Sequence, residues 1–201
     1  ASLQDISDKT TLLSSSPNKG KGAALKFAFD YAQKHYFDYA ITIDADGQHF
    51  ASDLPLFFDA IEKDYGAMIV GSRFLKQENM PAGNTFANKF SNFWFTVQTG
   101  KKLADTQTGY RAYPLFKMGK MRSFSKRYES ELEYLQRIAW RNIKIVSIPI
   151  QVYYAPEGQR VSHFRKGRDF TRISVLNTLM CFVAILYGYP SMFLRKLFKS
   201  K

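Results

Sequence analysis

Two short apolar runs with an amphipathic helix between them set the fold. Tyr39–Asp44 (YAITID) and Gly66–Gly71 (GAMIVG) each have the length and composition of one buried strand. Between them Ser52–Lys63 carries Leu54, Phe57, Phe58 and Ile61 at helical spacing, with Ser52 as the expected N-cap. Strand, helix and strand in that order predict an α/β fold around a mostly parallel sheet flanked by helices. In such sheets ligands gather beyond the carboxyl ends of the strands. Asp44 and Asp46 end the first run, and Ser72 and Arg73 follow the second. Carboxylates and a cation at neighbouring strand ends are what a binding crevice needs.

The rest of the chain extends this pattern. Gly22–Tyr36 reads as a helix entered through the glycine-rich Asn18–Lys21, and Thr85–Gln98 as an aromatic helix with Trp94 and Phe95 in the core. Lys101–Tyr113 reads as a polar loop. Arg127–Arg141 has a helical stripe of Leu132, Leu135, Ile138 and Ala139, with Asn142 a suitable residue just past its end. Ile143–Tyr154 alternates as a strand, and Pro149 assigns it to an edge or a bulge. At 201 residues, with 45% apolar and 16% aromatic content, the chain is a folded unit with room for one main core. Its one cysteine, Cys181, cannot form an internal disulfide and reads as a small buried hydrophobe.

The net charge of +12 favours anionic partners. Its distribution selects among them: nine basic residues against Glu157 and Asp169 lie between positions 157 and 201, on both sides of the uncharged run Ile173–Leu194. A nucleic-acid module does not interleave its basic stripe with such a run and leaves Asp44 and Asp46 without a purpose, whereas a membrane-surface segment has this composition. Residues 1–155 therefore read as the α/β unit and 156–201 as a basic, apolar, membrane-associated segment. Ile173–Leu194 has about the ~20 residues that a span requires. Gly188 and Pro190 are expected to interrupt it, which favours interfacial helices or half of a hairpin.

Asp44-Ala45-Asp46-Gly47-Gln48-His49 carries the chemistry. Two carboxylates two residues apart at a strand end can share a divalent cation, and oxygen ligands suit Mg²⁺ or Mn²⁺ that keeps phosphates in its shell. Such a cation neutralises a diphosphate leaving group. The flanking segments come in a fixed order. Asn18-Lys19-Gly20-Lys21-Gly22 precedes the carboxylates; Gly71-Ser72-Arg73, Asp105-Thr106-Gln107-Thr108-Gly109-Tyr110-Arg111, then Glu129, Glu131 and Glu133, then Tyr154–Phe164 follow.

From about Asn18 to about Arg172 this series resembles the family-2 glycosyltransferases, in the branch of dolichol-phosphate mannosyltransferase and the polyprenyl-phosphate glycosyltransferases. The resemblance implies a GT-A (Rossmann-like) fold and metal-dependent, inverting transfer from a GDP- or UDP-sugar to a lipid phosphate, with the catalytic part on the cytoplasmic side. It implies metal contacts from Asp44, Asp46 and Gln48, and donor contacts from Asn18, Lys19, Gly22, Asp44, Asp46 and Arg73. Asp105, Arg111 and Glu131 fall where the family carries its acceptor-side loop and a catalytic acid. Family members begin with a further strand, a base-binding loop and an Asp-Gly-Ser-like turn that have no counterpart after Ala1, so an N-terminally truncated sheet is expected.

The acceptor is read from its cations. A lipid phosphate needs positively charged groups to position it, and Arg111, Arg160, Ser162 and Arg165 are the expected contacts, since arginine offers phosphate a planar fork of donors. A saccharide hydroxyl would instead need a base, with Glu131 or Glu129 the alternative. A sugar-phosphate nucleotidyltransferase is a second enzyme reading. At individual positions the plainer readings stand beside these. Lys19 and Lys21 can be solvated charges at a helix start; Asp105 can simply form a turn before Gly109; and Glu129 and Glu133 share one helix face while Glu131 points elsewhere.

Overall fold

The structure, a computed structural model, describes residues 10–14, 16–73, 82–121, 123, 125, 127, 129–154 and 166–199; at 82–85, 166–170, 172 and 199 it describes the backbone alone. Four strands make one sheet in the order β1-β3-β2-β4: β1 (Tyr39–Thr42), β2 (Met68–Arg73), β3 (Arg111–Pro114) and β4 (Ile145–Ile150). β4 pairs with β2 in parallel, while β3 lies antiparallel between β1 and β2. Three strands thus point one way and one runs against them. The helix-flanked α/β fold is the one that the sequence pattern predicts; within its sheet β3 is the antiparallel member.

The sheet is covered on both faces, and the alternation along its central strands shows how. Met68 and Val70 of β2 and Tyr113 of β3 turn toward α1 (Lys21–Lys34), α3 (Ala82–Thr99) and α5 (Glu129–Trp140), where Phe29, Phe95, Leu135 and Ile138 are buried with them. Ile69 and Ala112 turn to the other face, against Phe57 of α2 (Leu54–Lys63) and Ile150. A strand buried on both faces is apolar at every position, which is why GAMIVG carries no polar alternation.

Several local expectations are corrected. β3 falls inside the stretch read as a polar loop: Arg-Ala-Tyr-Pro carries a charge and a proline, yet every residue of it is buried. β1 is half-buried rather than buried, because it lies at the sheet edge with β3 as its partner. Ser52 does not cap α2; a 3₁₀ turn, Ala51–Asp53, precedes the helix, and the buried Asp53 accepts the Gln151 amide at 2.8 Å. Phe58 faces solvent. Cys181 is half-buried. Asn142 takes the left-handed conformation (φ 55°) just past α5, as its position predicts, and β4 with Pro149 is an edge strand.

The apolar C-terminal run is one continuous helix and not the interrupted one expected. α6 (Lys166–Val183) passes through a π-helical turn, Ala184–Gly188, into α7 (Tyr189–Lys199). Proline clashes with the carbonyl four residues before it, here Leu186, and the wider turn lets the helix accommodate Pro190 without breaking. Gly188 permits a close approach: a methyl there would stand 2.6 Å from the Trp140 indole nitrogen. One side of this helix is fastened to the α/β unit. Leu176, Met180 and Ala184 pack around Trp140, the Gln98 side chain donates to Asn177 O at 3.0 Å, and the Trp140 indole donates to Gln98 O at 2.8 Å.

Candidate active site

The site lies where β1 and β2 end. α1 begins after Gly20, whose φ of 93° suits glycine, and it has neither a side-chain cap nor an acidic residue in its first turn. Its free amide groups and dipole favour an anion at that end. Asn18 and Lys19 are exposed there, and Asn18 turns its Oδ1 back to the Gly20 amide at 2.8 Å. Gly22 is buried.

Lys21, the first residue of α1, is the hub. Its Nζ donates to Asp44 Oδ1 at 2.6 Å and stands 2.8 Å from Glu131 Oε2 in the first turn of α5. Burial alone would lower the pKa of this ammonium, but the two carboxylates outweigh it and raise it above the ordinary lysine value. The Asp44 carboxylate also lies against Gly109, where any side chain would collide with it. Asp46, Gly47 and Gln48 are exposed, and Asp46 Oδ1 accepts the Gln48 amide at 3.0 Å in the turn. Glu131 Oε1 is buried and has no hydrogen-bond partner among the described residues.

Across the cleft Asp105 and Arg73 form a closed pair. Arg73 Nε and Nη2 reach the two oxygens of Asp105 at 2.6 and 3.0 Å, and the amides of Gln107 and Thr108 add bonds to Oδ1 at 3.0 and 3.3 Å. Burial pushes the Asp105 carboxyl up, but the Arg73 bond and charge exceed that effect and hold it below the ordinary aspartate value. Asp105, expected in the acceptor-side loop as a catalytic residue or as a turn former, is held here by Arg73 and by the turn amides. His49 sits among Asp44, Asp46, Arg73 and Asp105, which all act on its charge; burial, the largest effect, lowers its pKa and keeps it neutral at pH 7.

Arg111, expected as a catalytic and acceptor-side contact, is placed inside the fold. It is 1% exposed, and its guanidinium donates to the carbonyls of Thr108, Glu131 and Thr106 at 2.7, 2.7 and 2.8 Å. Such a group ties the 105–111 loop to the start of α5. With Thr106 bonded to Ser91 and Asn92 of α3, the loop is held from two sides, and Gln107 is its one exposed side chain. Glu133 is buried inside, paired with Arg137 and accepting from Ser123 and Ser125. Glu131, set on a different face from Glu129 and Glu133 by helical spacing, is the member of the acidic series that meets Lys21. The remaining expected acceptor contacts, Arg160, Ser162 and Arg165, lie outside the described residues.

The donor set suits a divalent cation only in part. No group of three His, Cys, Asp or Glu residues is arranged to hold a metal among the described residues. Asp44 has one oxygen engaged by Lys21, which leaves the exposed Asp46 as the open ligand. Mg²⁺ asks for little more than this, since it is commonly held by one or two carboxylates together with water and substrate phosphates.

The Glycosyl transferase family 2 profile matches residues 1–127. The chain belongs to that family. It is 31% identical over 142 residues to UDP-N-acetylglucosamine--dolichyl-phosphate N-acetylglucosaminyltransferase of Methanococcus voltae, covering 68% of this chain and 57% of that protein. It is 27% identical over 150 residues to polyprenol monophosphomannose synthase of Mycolicibacterium smegmatis, covering 71% and 56%. With undecaprenyl-phosphate mannosyltransferase of Micrococcus luteus it shares 26% identity over 140 residues, covering 65% and 56%. The chain thus spans little more than half the length of these curated relatives. In the family-2 frame, Lys21 is the site residue that sequence reasoning left undecided; its only local signal was a lysine between two glycines at a helix start.

Proposed function

We propose that the protein containing this chain transfers a sugar from a nucleoside-diphosphate donor to a polyprenyl phosphate at a membrane surface. The observation that carries the reading is the Lys21 ammonium held between Asp44 and Glu131 at the open end of α1, in a chain whose relatives are named as transferases of polyprenyl or dolichyl phosphate. An uncapped helix start and an ammonium together receive a diphosphate. Asp44 and Asp46, with Gln48 beside them, would hold Mg²⁺ or Mn²⁺, which when bound neutralises charge on the departing diphosphate.

The reaction is a single displacement. A phosphate oxygen of the acceptor forms a bond to the anomeric carbon while the bond from that carbon to the donor diphosphate breaks, so the configuration inverts. An acceptor phosphate already carries the attacking charge, and no proton has to be removed. Lys21 fixes the positions of Asp44 and Glu131, and Glu131 Oε1 is available to accept a hydroxyl of the sugar. The Arg73–Asp105 pair holds the loop that bears Gln107 at the cleft rim.

The membrane part of the reading rests on the C-terminal helix. Ile173–Phe198 is long and apolar enough to cross a membrane, and only 28% of its most apolar window is buried. Val175, Leu179, Phe182, Leu186, Phe193 and Leu197 form an exposed stripe on the side turned away from Trp140. Because the opposite side packs on α3 and α5, we place the helix along the unit with its outer face in lipid, and the resemblance to the family is what assigns the catalytic part to the cytoplasmic side.

The test is to incubate the full-length protein with labelled GDP- and UDP-sugars, membranes and Mg²⁺, and follow the label. Recovery in the organic extract supports the proposal. Recovery in water-soluble saccharide or sugar nucleotide would transfer the assignment to the hydroxyl-acceptor or nucleotidyltransferase reading.

A further inference from the structure

A groove with a mostly apolar lining lies at the far end of α5 from the cleft. It has a volume of about 630 Å³ and is lined by Arg141, Asn142, Tyr187, Leu194, Arg195 and Phe198 among others. Arg141 follows directly on α5, and Arg195 comes from α7. No carboxylate pairs with either among the described residues. Both guanidiniums line the same groove; burial, which outweighs the opposing effect of Tyr187, and then the charges of Arg195 and Arg137 lower the pKa of Arg141. The polypeptide nevertheless keeps this convergence in place. Asn142 donates to Met192 O at 2.8 Å, and a methyl on Gly188 would collide with Trp140, so α7 is seated firmly against the end of α5.

Two cations without a counter-charge, set in an apolar wall, fit an amphiphilic anion. The wall belongs to the helix whose outer face is unburied, with Leu186 and Phe198 79% and 77% exposed. The groove therefore opens where apolar helix surface gives way to the basic end at Arg195, Lys196 and Lys199, the level at which lipid headgroups meet protein. Arginine forks bind phosphate oxygens in pairs, and Tyr187, Leu194 and Phe198 offer apolar cover for the glycerol and upper acyl carbons.

We propose that Arg141 and Arg195 bind the phosphate of an anionic phospholipid and so fix the catalytic unit against the bilayer. This site is not the acceptor site: Glu131 and Arg141 are ten residues apart on α5, about 15 Å at the ~1.5 Å helical rise. The proposal rests on the membrane part of the reading above and not on the transfer chemistry.

The test uses the full chain in neutral detergent with mixed micelles of phosphatidylglycerol and phosphatidylcholine, the retained lipid being counted by native mass spectrometry. The unaltered chain is expected to retain phosphatidylglycerol preferentially, and Arg141→Gln/Arg195→Gln to lower that preference by about ten- to thirtyfold. Arg195→Gln alone changes an exposed side chain on the outer helix; it is expected to give a partial loss whether or not the double variant folds, which thermal unfolding and Trp140 fluorescence report. An unchanged preference in Arg195→Gln would overturn the proposal. So would displacement of the lipid by millimolar inorganic phosphate, which would make the ligand a free anion. Neither donor nor acceptor is present, so failure here is read separately from failure of transfer.

Discussion

Lys21 and Glu131 meet at 2.8 Å across the mouth of the cleft, one at the start of α1 and the other in the first turn of α5. The same ammonium holds Asp44 at 2.6 Å. One cation thereby spaces two carboxylates that would otherwise repel, and it leaves the cluster with Asp46 net negative, as a divalent cation requires. The helix start above it supplies free amides for a phosphate.

Replacing this cation tests the arrangement. Lys21→Met is expected to leave the fold intact, because the apolar stem is kept, and to lower transfer by about a hundredfold, the scale of losing one charge-stabilising group. Steady-state rates with both substrates varied check it. A variant with unchanged kcat and KM would reduce Lys21 to a solvated charge.

For the metal, Asp46→Asn is expected to abolish transfer without altering stability. The side chain is exposed, and asparagine still offers Oδ1 to the Gln48 amide. Calorimetry of Mn²⁺ with a nucleoside diphosphate present should show binding to the unaltered protein and none to the variant. Normal turnover in excess chelator contradicts the metal role.

Arg111 makes the opposite prediction to that of an acceptor contact. Arg111→Met leaves three buried carbonyls without donors, and each orphaned group costs about 1–3 kcal/mol. Unfolding should therefore shift by several kcal/mol, and Arg111→Lys should not restore it, since an ammonium cannot span the three directions. Thermal or urea denaturation measures this. A stable variant with a raised KM for the acceptor alone would return Arg111 to the acceptor side.

Acid stability reports the Arg73–Asp105 pair. The folded Asp105 carboxyl titrates below its ordinary value of 3.8, so between the two values the unfolded chain binds more protons and stability rises with pH. The contribution is complete above that ordinary value and is lost as pH falls through the depressed folded one. Asp105→Asn should flatten this acid limb and destabilise the protein at pH 7 by up to about 3 kcal/mol, because the half-buried Arg73 loses its counter-charge. Denaturation from pH 2 to 7 checks both.

What the chain shows in its sequence follows from how local the cause is. β2 and the helices around it were legible because a buried strand and an amphipathic helix each impose a period on their own residues. The turn at Asn142 and the edge at Pro149 were legible from backbone chemistry. β3 was not, because Arg111 is satisfied by carbonyls of its own preceding loop and of α5, which only the folded loop brings to it, and an arginine in a four-residue run looks like surface. Helical spacing set Glu131 apart from Glu129 and Glu133, but only the packing of α1 against α5 shows that its face meets Lys21. The unbroken C-terminal helix depends on a π turn that nothing in the proline's own neighbourhood announces. Asp44 and Asp46 were visible at once, since a strand end displays them whatever the rest of the chain does.

The central claim is that the acceptor attacks through a phosphate. Polyprenyl phosphate and the matching polyprenol, offered to the full-length protein under the same donor and metal conditions, test it directly. Labelled sugar should pass to the phosphate and not measurably to the alcohol, and Glu131→Gln should retain part of that transfer because no proton is removed. Comparable transfer to the polyprenol, or to a saccharide with the polyprenyl phosphate inert, would contradict the account.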